Sequence, residues 1–449
     1  MTVDRGTASI RVVAYGDNKS GVSLHGISGT SSRHVVVVGQ GYVGLPVAIR
    51  AVEAGFDVIG FDIDKARIDR LRKAETFIDD ITDSDLLIAV STGRYLPTDD
   101  SAALAGFDVA VVCVPTPWRG DAPDLSYVED AASTIARHIT PGCCVILEST
   151  TYPGTTEEIF IPILETGSGL RAGEQFFVGY SPERIDPGNN TWRLDNTPKI
   201  IAGVNQASLQ ALADFYGRLV EQTVPVPGLR EAELAKLLEN TFRHVNVALV
   251  NELARYCHDL GLDVWSVVDA AGTKPFGFMK FTPGPGVGGH CLPIDPRYLS
   301  WQARRCLGRG LPLVDMANDV NDHMPDYVVS RVVTHLNQLC KSVNGSRILL
   351  VGLAHKRNTR DTRQSPAIAV ARQLDDLGAD VHAIDPLIDV EEIPHYIRMV
   401  PCEPGQVTKA DLVIVLADHD VIEWELFEQH AERVLDTRNR LRSTSASRL

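Results

Sequence analysis

The chain has 449 residues, a length that predicts two or three domains rather than one hydrophobic core. Hydrophobic residues make up 44% of the chain and charged residues 22%, which excludes wholesale disorder and a fibrous or low-complexity protein. The formal net charge of −15 repels phosphate backbones and anionic lipids, so we expect neither a nucleic-acid partner nor a membrane partner.

The cysteines indicate the cellular compartment of the protein, and the two ends of the chain have the composition of flexible tails. Eight cysteines are scattered without a CxxC pair or a metal-ligand spacing, which favours a reduced, cytoplasmic protein that holds no metal. No apolar run reaches the roughly 20 residues that cross a bilayer. Residues 1–32 and 441–449 show little periodicity, and we expect both to be flexible tails.

A β-branched run at His34–Gly39 predicts a buried parallel strand, and a glycine-rich turn follows it. Gly39, Gly41 and Gly44 form a GxGxxG motif, whose glycines permit a tight turn, close approach to a pyrophosphate and close helix packing. A second predicted strand ends at Asp62, where a carboxylate can accept both hydroxyls of an adenosine ribose. This βαβ pattern predicts a Rossmann-like domain that binds NAD.

The helix after the turn is predicted to begin near Tyr42 and to run to Ala54. We place Tyr42 and Val43, at its start, among the cofactor-binding residues. Lys65 is a further candidate, and with Arg67 it leaves open whether a 2′-phosphate could be accommodated.

Two later predicted strands, Phe107–Pro117 and Cys143–Thr150, end in polar turns. Ligands of open parallel sheets bind at the carboxyl ends of strands, so Thr116, Ser149 and Thr150 are candidates to face the cofactor or substrate. Hydroxyl residues at such positions are equally often ordinary helix caps.

A loop rich in glycine and proline, Thr282–Pro296, leads to Cys291. The bare backbone would let a ligand approach, and a helix is predicted to begin with Asp295 as its N-cap and Pro296 as its first residue. The positive end of that helix would lower the pKa of the thiol and make Cys291 a nucleophile. A buried structural cysteine is the alternative.

The segment Arg230–Gly261 has the pattern of one long helix that could bridge two domains. One row on it is polar and contains Lys236, Asn240 and His244, which could be a solvated face or an oxyanion-binding and water-orienting group. Another row is an apolar stripe made of Leu234, Leu238, Phe242, Val245, Leu249 and Leu253.

A second α/β pattern begins after about residue 325. Its first strand leads into a basic loop, which in an acidic protein suits a diphosphate and contains Lys356, Arg357, Arg360 and Arg363. The fold class is therefore α/β, with two Rossmann-like parallel-sheet domains joined by a long central helix. We expect an NAD-binding domain at 33–226, a central helical region with the cysteine loop at 227–325, and a second, anion-binding α/β domain at 326–440.

These motifs together resemble the UDP-glucose/GDP-mannose dehydrogenase family, whose members oxidise the C6 alcohol of a nucleotide sugar to a carboxylate. The resemblance covers residues 34–440 and includes the following elements: Gly288, Gly289, Cys291 and Asp295; Ala232, Glu233, Lys236 and Asn240; Gly352, Lys356, Asp361, Arg363, Ser365 and Pro366; Ser149–Thr155; Ser181–Arg184; and Asp436–Asn439.

The resemblance implies a covalent mechanism that consumes two NAD⁺. Cys291 would trap the aldehyde as a thiohemiacetal, which is oxidised to a thioester and hydrolysed. Lys236 and Asn240 would hold the oxyanion. Thr150, Glu183 and Asp295 would position the water.

The resemblance also implies which residues bind the substrate and how the chain assembles. Substrate contacts would come from Glu183, Arg184, Lys236, Asn240, Gly288, Lys356 and Arg363. The long helix would form a homodimer or part of a larger homo-oligomer.

The substrate stays open among several nucleotide sugars. The segments Ser181–Asn189 and Gly288–Pro296 are more similar to the branch that acts on UDP-N-acetylhexosamines. Gln364 and Ala417 depart from the usual residues of the family. A UDP-glucose or dTDP-glucose dehydrogenase of a specialised glycoside pathway, a two-electron dehydrogenase that stops at the aldehyde and a catalytically silent sugar-nucleotide-binding protein are the alternatives.

Overall fold

The computed structural model describes residues 33–78, 81–185, 189 and 191–449. The expected N-terminal tail at 1–32 lies outside these residues. All eight cysteines are free thiols. Of the helices that the structure describes, none is both long and apolar enough to cross a membrane.

The first sheet has the strand order β10-β9-β8-β7-β4-β1-β2-β3. Its strands pair in parallel except for β8 and β9, which are antiparallel. The described strands of this sheet are β1 (His34–Val38), β2 (Asp57–Phe61), β3 (Tyr95–Thr98), β4 (Val109–Val112), β7 (Cys144–Leu147), β8 (Phe177–Tyr180), β9 (Lys199–Gly203) and β10 (Thr223–Pro225). A short hairpin, β5 (Trp118–Arg119) and β6 (Ala122–Pro123), follows β4.

Helices cover both faces of this sheet because its central strands are apolar on both sides. The helices are α1 (Gly44–Glu53), α2 (Lys65–Arg72), α3 (Asp83–Ser91), α4 (Ser126–Ala136), α5 (Ile161–Ser168) and α6 (Gln206–Tyr216), and a π-helical turn at Thr156–Phe160 precedes α5. Helix α1 begins two residues later than the predicted start at Tyr42, because the glycine turn occupies those residues.

A central helical region follows the first sheet. It consists of the 31-residue α7 (Leu229–Asp259), α8 (Val264–Gly272), α9 (Asp295–Leu307) and α10 (Pro312–Asp322). Helix α7 packs against both α9 and α10 and also reaches the first sheet. The predicted long helix is therefore confirmed, and it contacts the loop that leads to Cys291 through Asn251, whose side chain accepts a hydrogen bond from Gly284 at 2.9 Å.

The second sheet is parallel throughout, in the order β13-β12-β11-β14-β15-β16. Its strands are β11 (Arg347–Val351), β12 (Asp380–Ile384), β13 (Arg398–Met399), β14 (Leu412–Val415), β15 (Val434–Asp436) and β16 (Ser447–Arg448). The helices around it are α11 (Met324–Gln338), α12 (Pro366–Asp376), α13 (Pro404–Lys409) and α14 (Glu425–Glu428). The two-sheet α/β architecture agrees with the predicted fold class.

The C-terminal end corrects one expectation. Residues 441–449 were expected to form a flexible tail, but β16 pairs in parallel with β15 at the edge of the second sheet. Leu441 and Leu449 are buried in the hydrophobic cores on the two sides of that sheet. The end of the chain is ordered because its few apolar side chains complete these cores.

Candidate functional site

The glycine turn between β1 and α1 has space for a ligand at its middle glycine. Gly39 has a φ of +89°, and a Cβ there would lie 2.6 Å from the carbonyl oxygen of Cys113. A Cβ on Gly44 would lie 1.8 Å from the carbonyl oxygen of Gly39, so α1 packs directly on the turn. No described atom lies within 4 Å of a Cβ built on Gly41. The turn therefore fits a pyrophosphate at Gly41.

Asp62, at the end of β2, is buried and has three hydrogen-bond donors within the protein. Its carboxylate accepts the backbone N–H groups of Gln40 at 2.7 Å and Asp64 at 2.9 Å. Arg67 forms an ion pair with it at 2.8 Å. Lys65 is exposed at the start of α2. Arg67 is therefore the cation in contact with the predicted ribose-binding carboxylate.

Arg363 links the second sheet's loops to this turn. Its guanidinium carbon lies 4.9 Å from the centroid of the Tyr42 ring, and Asp361 binds it through two hydrogen bonds at 2.8 and 2.6 Å. Cys291 and Arg363 also influence each other's ionisation. Val43 occupies the N-cap position of α1. Arg363, expected to bind the substrate, thus lies between the cofactor turn and the cysteine.

The polar turns after β4 and β7 are joined to each other. Thr116 donates its hydroxyl to the carbonyl of Thr150 at 2.7 Å, and Ser149 donates to the carbonyl of Val114 at 2.8 Å. The Ser149 hydroxyl therefore joins the two turns, whereas Thr150 is partly exposed. The two turns form a continuous edge at the carboxyl ends of the strands.

Asp295 is the first residue of α9, and Ile294 occupies the N-cap position that was expected for Asp295. The reason is that the Asp295 carboxylate is turned into the protein, where it accepts a hydrogen bond from the Asn240 side chain at 2.6 Å. Burial raises the pKa of Asp295 to about 6, against the opposing effects of Lys236 and Asn240. Its backbone N–H donates to the carbonyl of Cys291 at 2.9 Å.

Cys291 retains exposed surface, although it lies in a densely packed part of the protein. Burial, with a smaller effect of the Asp295 carboxylate, raises the pKa of the thiol to about 11, although Lys236 and Arg363 oppose the rise. The expected lowering of this pKa by the helix terminus is therefore wrong. Burial and, to a smaller extent, the negative Asp295 side chain at the first position of α9 raise the pKa instead.

The polar row of α7 faces the protein interior. Lys236, Asn240 and His244 are all buried, and Lys236 acts electrostatically on both Cys291 and Asp295. Asn321 on α10 donates its side-chain N–H to the carbonyl of His244 at 3.1 Å. The row is thus not a solvated face, and its first two members lie at the cysteine.

Glu183 and Arg184 follow β8 and are held by other parts of the protein. Glu183 accepts the backbone N–H groups of Arg184 and Ile185 at 2.6 and 2.7 Å and the Lys199 ammonium at 2.9 Å. Arg184 pairs with Glu239 on α7 at 2.7 Å. Their predicted substrate contacts remain predictions.

Gly288 contributes packing between two loops. A Cβ there would lie 2.6 Å from the carbonyl oxygen of Gln364, so the cysteine loop lies directly on the basic loop. Lys356 is half-buried in that basic loop. Arg357 forms ion pairs with Asp418 and Asp420, and its predicted part in binding a diphosphate stays a prediction.

Arg438 is a candidate ligand-binding residue that was not singled out from the sequence. It donates to the carbonyl of Leu416 at 2.7 Å, and a Cβ on Gly284 would lie 2.7 Å from its Nη1 atom. Burial lowers the pKa of this guanidinium, although Asp418 and Asp436 oppose the effect. A cation shielded in this way beside the cysteine loop suits an anionic ligand. The DTRN sequence at Asp436–Asn439 was the available signal.

Family models described as UDP-glucose/GDP-mannose dehydrogenase match the chain in three parts: the NAD-binding domain at 33–220, the central domain at 230–323 and the UDP-binding domain at 349–443. A UDP-N-acetyl-D-glucosamine 6-dehydrogenase of Pseudomonas aeruginosa is 36% identical over 387 residues, which cover 86% of this chain and 90% of that protein.

Two solved structures are similar over nearly the whole chain. The UDP-D-ManNAc dehydrogenase of Pyrococcus horikoshii superposes with a TM-score of 0.83 at 32% identity, covering 92% of this chain and 98% of that one. A UDP-glucose dehydrogenase of Pyrobaculum islandicum also gives a TM-score of 0.83, at 28% identity, covering 93% and 97%.

Proposed function

The chain belongs to the UDP-glucose/GDP-mannose dehydrogenase family, and we propose that it oxidises the C6 alcohol of a UDP-N-acetylhexosamine to a carboxylate through a thioester on Cys291. Membership makes it an NAD-dependent oxidoreductase whose NAD-binding and UDP-binding domains are those of the family. The covalent route, the two NAD⁺ per sugar and the acetamido sugar are the proposed parts.

The convergence of Cys291, Asp295, Asn240 and Lys236 carries the proposal. These residues come from two segments far apart in the sequence, and the 2.6 Å bond between Asn240 and Asp295 joins the segments. A nucleophile, a group that can accept a proton and a buried cation thus meet beside the glycine-rich loop. A protein that only binds nucleotide sugars would need none of the three.

Asp295 has a suitable proton affinity for the first half of the reaction. With a pKa of about 6, its carboxylate is largely ionised at neutral pH and can accept a proton without holding it permanently. The Lys236 ammonium can stabilise the alkoxide that forms as the C6 hydroxyl loses its proton. The turn at Gly39–Gly44 would hold the pyrophosphate of NAD⁺, which when bound would supply the hydride acceptor for each oxidation.

Cys291 then retains the aldehyde. Its sulfur bonds to the carbonyl carbon while Asp295 gives the proton that it took from the C6 hydroxyl to the carbonyl oxygen, which becomes the hydroxyl of a thiohemiacetal, and the Asp295 carboxylate then takes the thiol proton. Oxidation of this adduct gives a thioester. Water adds to the thioester carbon with Lys236 and Asn240 binding the oxyanion, and the carbon–sulfur bond breaks to release the carboxylate and regenerate the thiol.

The experiment is a panel of UDP-GlcNAc, UDP-ManNAc, UDP-glucose and dTDP-glucose with NAD⁺, in which NADH and sugar consumption are both measured. We expect turnover with an acetamido sugar and two NADH per sugar. One NADH per sugar would indicate a dehydrogenase that stops at the aldehyde, and none with any sugar would indicate a silent binding protein. UDP-glucose is the second candidate substrate because of the similarity to the Pyrobaculum enzyme.

A cysteine substitution tests the covalent step. Cys291→Ala should leave nucleotide-sugar binding intact and abolish acid formation, because the variant lacks the thiol that forms the thiohemiacetal. Cys306→Ala is the matched control, since Cys306 is also an exposed free thiol but lies near the far end of α9. Wild-type acid formation by Cys291→Ala would remove the thioester from the mechanism.

A further inference from the structure

Lys199, Glu148 and Glu183 form a cluster of buried charged side chains at the ends of three strands of the first sheet. Lys199, at the start of β9, is only 2% exposed, and its Nζ atom lies 3.0 Å from Glu148 Oε1 and 2.9 Å from Glu183 Oε2. Glu148 follows β7 and Glu183 follows β8, and β9 runs antiparallel to β8. The start of β9 therefore lies beside the ends of the other two strands.

The cluster has one carboxyl group more than it has cations, and its two carboxyl groups differ in their other contacts. Glu148 is contacted by the Tyr216 hydroxyl and by the Cys113 thiol at 3.5 Å. Burial raises the pKa of Glu148. Burial also acts to raise the pKa of Glu183, but Lys199 and the backbone N–H group of Ile185 hold it below its usual value. Lys199, 2.9 Å from Glu183 Oε2, thus favours the ionised form of Glu183.

The ion pair is next to the candidate site without opening into it. Lys236 also lowers the pKa of Glu183, so the two groups are within electrostatic reach of each other. Arg184, the next residue, binds Glu239 on α7, which directly precedes Asn240. Lys199 is enclosed by the two carboxyl groups and by the Tyr216 ring, whose centroid is 5.3 Å from its Nζ atom. It cannot reach a substrate itself.

We propose that Lys199 is a positioning residue for thioester hydrolysis, which holds the Glu183 carboxylate ionised and in one orientation beside Lys236 and Asn240. This inference rests on the proposed function, because Glu183 is expected to position the attacking water. A buried ion pair is expensive to desolvate and is weak evidence for a purely stabilising role. Glu183 must stay ionised to position the attacking water. The ion pair between Lys199 and Glu183 therefore has a function in the reaction.

The test separates the two halves of the reaction in Lys199→Met. Rapid mixing with the substrate that the wild type uses should show an unchanged initial release of NADH, and kcat/KM should stay unchanged because KM falls together with kcat when hydrolysis limits turnover. Steady-state turnover should fall by about 100-fold, as for a misplaced reacting group. Acid-quenched protein should carry the sugar adduct in its intact mass. Lys341→Met is the matched control, because Lys341 forms an exposed ion pair with Asp411 and is distant in sequence from Lys199.

A second variant addresses folding, since Lys199→Met leaves two buried carboxyl groups without a cation. Lys199→Met combined with Glu148→Gln removes one charge of each sign and should fold more readily. Without Lys199 the pKa of Glu183 should rise, so turnover should recover as the pH is raised above neutral. A purely structural role would not shift the pH profile.

The outcomes distinguish the inference from the proposed function. Wild-type hydrolysis rates and an unshifted pH profile in the double variant would overturn the role of Lys199 while leaving the thioester mechanism in place. No NADH from the wild-type protein with any nucleotide sugar would overturn the proposed function, and the role of Lys199 with it. A slow variant without adduct accumulation would place the defect before hydrolysis and would also overturn the inference.

Discussion

The Asn240 side chain donates a 2.6 Å hydrogen bond to the carboxylate of Asp295, and this bond joins α7 to the first residue of α9. Both side chains are buried. The bond favours the ionised carboxylate, whereas desolvation disfavours it more strongly, and the result is a pKa of about 6. Asp295 can therefore exchange a proton near neutral pH.

Asp295→Asn should lose turnover but gain stability at neutral pH. The pKa of Asp295 is about 6 in the folded protein against a usual value of 3.8, so the folded state binds the proton more tightly. Its stabilising contribution is complete below about pH 4 and is lost as the pH rises through about 6. The neutral amide avoids this loss, which amounts to about 3 kcal/mol.

The measurement is chemical denaturation of both proteins at pH 4.5 and pH 8, about the range in which the carboxyl group titrates. The stability difference should be small at the lower pH and should favour Asp295→Asn at the higher pH. A variant that is less stable than wild type at the higher pH would contradict the assigned ionisation. Wild-type turnover by the variant would exclude Asp295 as the proton acceptor.

Asp62→Ser should shift cofactor preference towards NADP⁺. The substitution removes the carboxylate that pairs with Arg67 Nη1 at 2.8 Å, so that this donor becomes available to a 2′-phosphate while Asp64 stays 3.7 Å from Nη2. We expect kcat/KM to fall for NAD⁺ and to rise for NADP⁺, each by about tenfold, the equivalent of one charge-assisted hydrogen bond. Asp62→Ser combined with Arg67→Ala is the control and should lose the gain. An equal gain in the double variant would exclude Arg67 as the cause.

The glycine turn and the two-sheet fold could be predicted because their signals are local. The spacing of Gly39, Gly41 and Gly44 after a β-branched run specifies a turn whose geometry depends on few other residues. Asp62 shows the limit of this reasoning. Its place at the end of β2 could be predicted, but its pairing with Arg67 depends on how α2 returns to the sheet.

The orientation of α7 could not be predicted from its own pattern. Its polar row is buried and much of its apolar stripe is exposed, because α9, α10 and the first sheet pack on the polar side. The short strand Ser447–Arg448 escaped prediction for a related reason. Two residues have no periodicity, and only pairing with β15 makes them a strand.

Arg438→Leu should weaken nucleotide-sugar binding and leave NAD⁺ binding unchanged. The guanidinium is shielded beside Gly284, and a ligand phosphate or uracil oxygen would complete its hydrogen bonding. Losing a hydrogen bond to a charged group should raise the substrate KM by about 30-fold. Arg442→Leu, at an exposed position nearby, is the control. An unchanged KM would exclude Arg438 from the substrate site.

Leu249→Glu should convert a homodimer into a monomer. Leu238 is 61% and Leu249 60% exposed in the single chain, and they belong to the apolar stripe that α7 presents away from the first sheet. Exposed apolar stripes on a helix are typical of subunit interfaces, and a charged side chain within such a stripe opposes association. Light scattering after size-exclusion chromatography measures the mass directly. Leu377→Glu, at an exposed leucine next to the second sheet, should leave the mass unchanged. A wild-type monomer, or a dimer that survives Leu249→Glu, would place any interface elsewhere than on this stripe.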